Sequence, residues 1–483
     1  KPSFFLLLRA GEGVARSVTD EGILHYCLLP TAYRLSPPDT RTPPMTSAPR
    51  KTISVLDGTA FVIGIVIGVG IFRMPPLVAM NTPSEAMFLL AWLAGGLAML
   101  IGTLCYAELA AAHPDAGGEY QFLRLAYGRR LAVLFAWARG TVIQTGAIAY
   151  VAFVFGDYAA QILPLGANGG SIWAAVAVIV FTGVNVLGTQ PGKRTQVFFV
   201  IATLLAVCAV IAAGLLTPAP AAKAAGAIAG GGGALGLAMV FVLLTYGGWN
   251  EVAYLSGEMK DPRRDMVRIA LAGTAVVTVI YLAINFAYLN AFGFEGLRAS
   301  KAVGADLMRV VVGDYGALLL ALVICCAALS TLNATIFTGA RVYYALGRDL
   351  PIIRRLGVWN ERGDNPANAF LLQGAIALAL VFFGALTRDG FSAMVDYTAP
   401  VFWFFLLLAA ISLFVFRWRE PASSRPFSTP LYPLTPAIFV LICGYLLYSS
   451  LAYTGMGALF GIGVVALGIP LALWGSGDEK DAG

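Results

Sequence analysis

The stretch GIVIGVGIFRMPPL, residues 64–77, decides how this chain folds. It lies within an apolar run, residues 55–79, long enough to cross a bilayer, which takes about 20 helical residues. Yet it carries Gly-Val-Gly in its middle, followed by Arg73, Pro75 and Pro76. Breaking a helix in hydrocarbon exposes amide and carbonyl groups, each costly unless a partner is found. A break here therefore calls for something polar to fill the gap. A half-helix beginning near Val69 turns free amides and its positive dipole end toward an anion, and one ending near Val66 offers carbonyls to a cation. An α-amino acid zwitterion meets both demands. Gly68 and Gly70 let the backbone approach such a ligand closely, and Pro75, with no N–H, suits the first turn of the second half.

Composition places the break in a membrane. Hydrophobic residues make up 59% of the 483 and charged residues 12%, a balance outside that of soluble domains of this size. Twelve apolar runs of spanning length recur between residues 55 and 474. Their period is helical, without the ten-residue alternation of a barrel, which predicts an all-α membrane protein of twelve transmembrane helices. Lys and Arg concentrate in cytoplasmic loops. Alternate loops hold sixteen of them, whereas the opposite loops hold five: Lys223, Arg298, Lys301, Arg309 and Arg388. Both termini are therefore expected in the cytoplasm, with the protein in the plasma (inner) membrane. The net charge of +6 reflects this bias and an affinity for anionic headgroups, so the lipid bilayer, not nucleic acid, is the expected partner.

Of the six cysteines, Cys105, Cys208, Cys325, Cys326 and Cys443 fall within spans and show no metal or disulfide spacing. They read as packing residues. With only His25 and His113 to offer imidazole, neither a metal site nor a cofactor is expected. Residues 1–50 are Pro-rich and polar, and the apolar Phe4 to Leu8 stretch is too short for a signal-peptide core. They read as a disordered tail, and Met45, just before the first span, suggests that residues 1–44 are an upstream artefact. The alternative is a native regulatory tail.

The sixth span repeats the anomaly of the first. In VFVLLTYGGWNEVAYLSGEMKDPRR, Gly247 and Gly248 fall at mid-membrane, followed by Trp249, Asn250 and Glu251. Paired Gly-interrupted segments five spans apart point to a transporter of two inverted five-helix repeats with its site at the midplane. The expected divisions are residues 51–216 and 217–416 for the repeats, 417–475 for helices 11 and 12, and 476–483 for a C-terminal tail. The competing reading is that Gly64, Gly68 and their neighbours only let helices pack closely.

Four motifs carry a family resemblance: GVGIF (68–72), CYAELAAAHPDAGGEYQFL (105–123), YGGWNEVAYLSGEMKDPRR (246–264) and STLNATIFTGARVYYALGRD (330–349). Together they resemble the amino acid–polyamine–organocation superfamily, most of all its L-type amino acid transporter branch. The resemblance runs from about residue 55 to the end of the tenth span, and the last two spans match only in hydropathy. It implies a leucine-transporter-type fold with the substrate between spans one and six. The substrate carboxylate would meet the amides of Gly68, Val69 and Gly70. Its ammonium would meet carbonyls of Val66, Leu244, Thr245 and Gly247, and Asn250 would support the unwound segment.

Three departures stand out. Val69 replaces a frequent Ser or Thr, and Leu244 replaces a bulky aromatic gate, for which Tyr246 could substitute. The span-five lysine that stands in for sodium in many relatives corresponds to Thr203. Lysine-mediated proton coupling is therefore unsupported, whereas a sodium ion held by span-one carbonyls and the hydroxyls of Ser330, Thr331 or Thr335 stays open beside coupling-free exchange. Among in-span charges, Glu108 and Arg341 are expected to pair or snorkel, and Arg139 could border the pathway with Gln144 and Thr145. The side-chain walls, Leu244, Thr245, Tyr246, Thr141, Gln144 and Thr145, aim no carboxylate at the middle. A neutral L-amino acid fits such walls, the alternative being a cationic amino acid or polyamine antiporter, whose extra ammonium would need an acidic partner. The loop after span three, residues 164–171, holds no cysteine for a disulfide-linked heavy chain. The expected function is secondary transport or exchange by alternating access. A channel would show filter-like repeats, and an enzyme would show a nucleophile with its base or a metal cluster.

Overall fold

The computed structural model describes residues 49–218, 235–300, 302–386, 390–421, 425–453 and 455–474. The tail before Pro49, the C-terminal tail and the loop cations Lys223, Lys301 and Arg388 lie outside the described residues. The described residues form helices joined by short turns, with two isolated bridges, Ile53 with Met259 and Asn360 with Asn365, in place of any strand. Among the described residues eleven helices are long and apolar enough to cross a membrane, from Val55–Arg73 to Leu434–Ala452, and a shorter apolar one, Gly457–Leu473, follows. The chain is thus an all-α membrane protein of about twelve helices, the last shorter than its apolar run because the backbone turns between Ala466 and Ile469.

The first span starts at a capping box. Ser54 accepts from the amide of Asp57 while the Asp57 carboxylate accepts from the amide of Ser54, satisfying two of the donors a helix start leaves open. Span one then packs against spans five, seven and eight. Spans two and seven run along each other, as do spans three and eight. Glycine sets the closeness of several of these contacts. A Cβ on Gly96 would lie 2.5 Å from the Thr278 side chain, and one on Gly273 would lie 2.7 Å from Val62. Gly64 belongs to this group too, because a Cβ there would meet Gln196 and Ser330 at 2.1 and 2.5 Å. The packing reading therefore holds for Gly64. It does not extend to Gly68, whose nearest foreign atom is the Thr331 hydroxyl at 3.5 Å.

Candidate substrate site

Span one is broken where its sequence says it should be. Helix Val55–Val66 ends, Ile67 to Val69 leave the helical path, and Gly70–Arg73 and Pro75–Met80 continue as two short helices. Pro75 and Pro76 fill the first two positions of the last piece, where a missing N–H costs nothing. The Gly68 amide donates back to the Val66 carbonyl at 2.8 Å. This shifts the open donors by one residue: among the described residues the amides of Val69, Gly70 and Ile71 donate to no protein acceptor.

Span six breaks at Tyr246 to Gly248, between helix Leu235–Thr245 and the tighter 3₁₀ helix Trp249–Glu258. Gly248 sits at φ +104°, a left-handed conformation that glycine alone adopts cheaply. Its missing Cβ also makes room for span one, since a Cβ would lie 2.4 Å from Ile65. A Cβ on Gly70 would likewise stand 3.1 Å from Thr245. The two breaks are therefore in van der Waals contact. Among the described residues the Leu243 and Gly247 carbonyls accept no hydrogen bond, while that of Leu244 accepts from Gly247 at 3.3 Å.

One residue outside both motifs ties the breaks together. The Tyr281 hydroxyl, on span seven, lies 2.6 Å from the Val66 carbonyl and 3.1 Å from that of Thr245. Its ring packs on Trp92 and Tyr246, with centroids 5.9 and 4.8 Å away. Tyr246 is itself buried, its hydroxyl donating to the Trp92 carbonyl at 3.1 Å. That hydrogen bond commits it to spans two and seven, and it is not poised as a free gate.

Around the breaks lies a cavity of about 370 Å³. Val66, Gly68, Val69, Gly70, Leu244, Thr245, Tyr246, Gly247 and Asn250 all line it, as do Thr331 and Thr335. Of the expected walls Gln144 lines it too. Thr141 and Thr145 do not, because their hydroxyls turn back to the Trp137 and Gly140 carbonyls of their own helix. Thr203 and Ser330 also stand away from the lining. Thr203 is buried with its hydroxyl unpartnered, and Ser330 lies within a chain of amides in which Gln196 donates to it at 3.2 Å and Asn333 donates to Gln196 at 2.9 Å. Thr331 donates to the Gly64 carbonyl at 2.9 Å.

The cavity floor differs from the expectation of walls without acid. Glu251 lines it. Its carboxylate is held by the Arg139 guanidinium at 2.6 and 2.7 Å, by Gln144 at 3.3 Å and by the Thr338 hydroxyl at 2.5 Å. Behind it stands a second carboxylate, Glu119, which accepts from Tyr106 (2.7 Å), Asn250 (2.9 Å) and Tyr254 (2.6 Å), with Arg139 at 3.5 Å. Arg139 is 1% exposed and lies 4.0 Å over the Tyr254 ring. It therefore pairs with Glu251 without bordering the pathway. The local backbone makes this possible, because Arg139–Ile143 is a π-helical turn. Residues five apart on an α-helix diverge by roughly 140°, whereas the wider turn brings Arg139 and Gln144 onto the face that meets Glu251. Nothing in the residue pattern announces such a bulge.

Two ends of the bundle are unlike. At the end bearing Ser54, buried ion pairs close the path below Glu251. Arg341 holds Glu258 at 2.5 and 3.0 Å with neither side chain exposed, and the Phe61 and Phe337 rings meet at 4.6 Å. Lys193 reaches Asp57 at 2.8 Å, and Arg417 grips Glu108 with two contacts of 2.7 Å. Glu108 and Arg341 thus pair instead of snorkelling. At the opposite end Arg73, exposed, lines the rim of the cavity.

Broken spans, open amides and a cavity between them are the features of a membrane transporter. Residues 53–466 match the family model described as amino acid permease, and the chain belongs to that family, within the superfamily its motifs resemble and near the L-type branch. It is 28% identical over 421 residues to the human b(0,+)-type amino acid transporter 1, covering 84% of each chain. It is 28% identical over 425 residues to the serine/threonine exchanger SteT of Bacillus subtilis, covering 87% of this chain and 96% of that one. With the mouse large neutral amino acids transporter small subunit 2 it shares 26% over 440 residues, 88% and 81% of the two chains.

Proposed function

We propose that this chain exchanges neutral L-amino acids across the plasma membrane by alternating access, with both termini in the cytoplasm. One observation carries the reading: Val69 and Gly70, whose amides are unpartnered among the described residues, line the same cavity as Leu243 and Gly247, whose carbonyls are open. Donors at one rim and acceptors at the other suit a carboxylate and an ammonium held apart by one carbon. The side chain would lie toward Leu244, Phe402 and Trp403, which are apolar cavity walls. The one acidic wall, Glu251, is neutralised by Arg139, so a second ammonium finds no free carboxylate. Relatives named as a serine/threonine exchanger and a large neutral amino acids transporter agree. The closed Ser54 end and exposed Arg73 rim make this an outward-facing arrangement in the proposed orientation.

Coupling-free exchange is the accompanying proposal for the driving force. Thr203 supplies no amine. The hydroxyls of Thr331 and Thr335 already donate to the Gly64 and Thr331 carbonyls, and Ser330 is engaged by Gln196. No disulfide-linked heavy chain is part of the proposal. Counterflow of labelled amino acids into proteoliposomes, competed by a panel of unlabelled ones with and without a sodium gradient, tests it. Saturable, trans-stimulated flux of neutral amino acids without sodium is expected. Flux lacking trans-stimulation, or competition by cationic amino acids alone, would overturn the reading.

A further inference from the structure

The charges at the open end of the bundle are unevenly matched. Among the described residues there, Arg298 meets Glu295 at 3.1 Å and donates to the Ala79 and Thr82 carbonyls at 3.0 Å each. Arg309 meets Asp306 at 3.2 Å. Arg73 has no such match. Its guanidinium makes no ion pair or hydrogen bond among the described residues, although it is exposed and lines the rim of the cavity. The acid on the outer part of span three, Asp157, does not line the cavity, and its Oδ1 would lie 2.8 Å from a Cβ on Gly170, at the start of span four.

Position gives this free cation a use. Arg73 is the last residue of the four-residue helix Gly70–Arg73, which follows directly on the break. At the rise of an α-helix it stands about 4.5 Å outward of Gly70, and both residues line the same cavity. A solute entering from the rim therefore meets the guanidinium before it meets the open amides. Met74, Val151, Val154, Val395 and Ala399 supply apolar wall around the cavity, and walls of that kind focus the field of a charge instead of screening it. Glu251, the one acid on the lining, lies at the floor and is held by Arg139. An unmatched cation at membrane depth is costly to keep, which marks it for a role in the pathway.

We propose that Arg73 sets the charge selectivity of the site. Its planar fork receives the carboxylate of an incoming amino acid at the rim and passes it inward to the amides of the first break. The same charge turns away amino acids that bring a second ammonium. A neutral amino acid is a dipole and can enter with its carboxylate toward Arg73, whereas a cationic one carries a net positive charge in every orientation. The proposal rests on the exchange reading above and assigns a residue to its choice of neutral over cationic substrates.

The test is counterflow of labelled leucine in proteoliposomes of the full chain, competed by unlabelled lysine or unlabelled leucine. It is run in choline chloride at about 20 mM and about 500 mM, which leave the charge of Arg73 weakly and strongly screened. The quantity read is the ratio of the lysine to the leucine concentration that halves the flux. At low salt Arg73→Glu should lower this ratio about tenfold or more and Arg73→Gln a few-fold, whereas Arg73→Lys, which keeps the charge, should hold it within about twofold of wild type. High salt should bring all four proteins together. If Arg73→Glu carries no flux, Arg73→Gln and Arg73→Lys decide. A ratio unmoved in Arg73→Gln, lowered equally in Arg73→Lys, or shifted to the same extent at both salt concentrations overturns the charge filter while leucine counterflow leaves exchange intact. Absence of leucine counterflow in wild type overturns the exchange reading, and the filter with it.

Discussion

The two broken spans solve one problem in different ways. In span one the chain leaves the helix over three residues and re-enters it as short apolar helices, so that unpaired amides are left facing the cavity. In span six the break opens into a 3₁₀ segment whose polar side chains are bonded to neighbouring helices: Asn250 to Glu119, Glu251 to Arg139 and Thr338, Glu258 to Arg341. The first break thus offers its backbone to a ligand, and the second adds to its own open carbonyls a set of side chains tied to neighbouring helices. A segment whose side chains are tied to helix Glu119–Tyr127 and to spans three and eight cannot shift without disturbing all of them, whereas the span-one turn can change its partner alone. Ligand recognition is therefore shared by the backbones of both breaks, while its coupling to movement falls to the side chains of the second.

The largest expected effect tests recognition at the first break. Gly70→Val places a branched side chain where a Cβ would already stand 3.1 Å from Thr245 and where the carboxylate would approach its amides. Uptake should fall by about 100-fold or more, while the detergent-solubilised protein stays monodisperse. Unchanged half-saturation in this variant would remove the amides of the first break from the binding site.

Next comes the tether of the second break. Arg341→Met leaves Glu258 buried without its cation, a loss of about 3–5 kcal/mol, and should lower the apparent melting temperature in detergent by several degrees. Adding Glu258→Gln should recover most of that loss, because the stranded charge is the costly element. If the single variant melts like wild type, the sixth segment is not held in the way the contacts indicate.

How far the sequence reveals this division depends on which groups carry it. Glycine and proline act through the backbone of their own segment, so Gly68, Gly70, Pro75 and Gly248 mark both breaks within a residue or two, and apolar run lengths mark the spans. The breaks' contact with each other follows from their matching positions. Side-chain partners are another matter. Arg139 stands 112 residues from Glu251, and Arg341 stands 83 from Glu258. Their pairing depends on helix rotation and, for Arg139, on a π turn with no residue signature. The same limit hid Glu251 as a wall, since a carboxylate beside a break reads equally as turned toward the cavity or away from it. It also left the expected amides one residue out of register, because the short turn from Gly68 to Val66 is a matter of dihedral angles and not of residue type.

The smallest effect joins the breaks. Among the described residues Tyr281 is the single side chain whose hydroxyl reaches a carbonyl in each break, Val66 at 2.6 Å and Thr245 at 3.1 Å. Its one proton favours the nearer carbonyl, so the second contact is the weaker. Tyr281→Phe keeps the ring packing on Trp92 and Tyr246 and deletes only that proton. A neutral hydrogen bond of this kind contributes roughly 0.5–1.5 kcal/mol, which corresponds to a change of a few-fold to about tenfold in half-saturation. If the hydroxyl only fastens span seven to a finished site, melting temperature should drop and half-saturation should stay. If it sets the spacing between the amides of the first break and the carbonyls of the second, half-saturation should rise with little change in melting. The second outcome is expected, because a zwitterion spans a fixed distance and the Tyr281 hydroxyl bridges a carbonyl of each break.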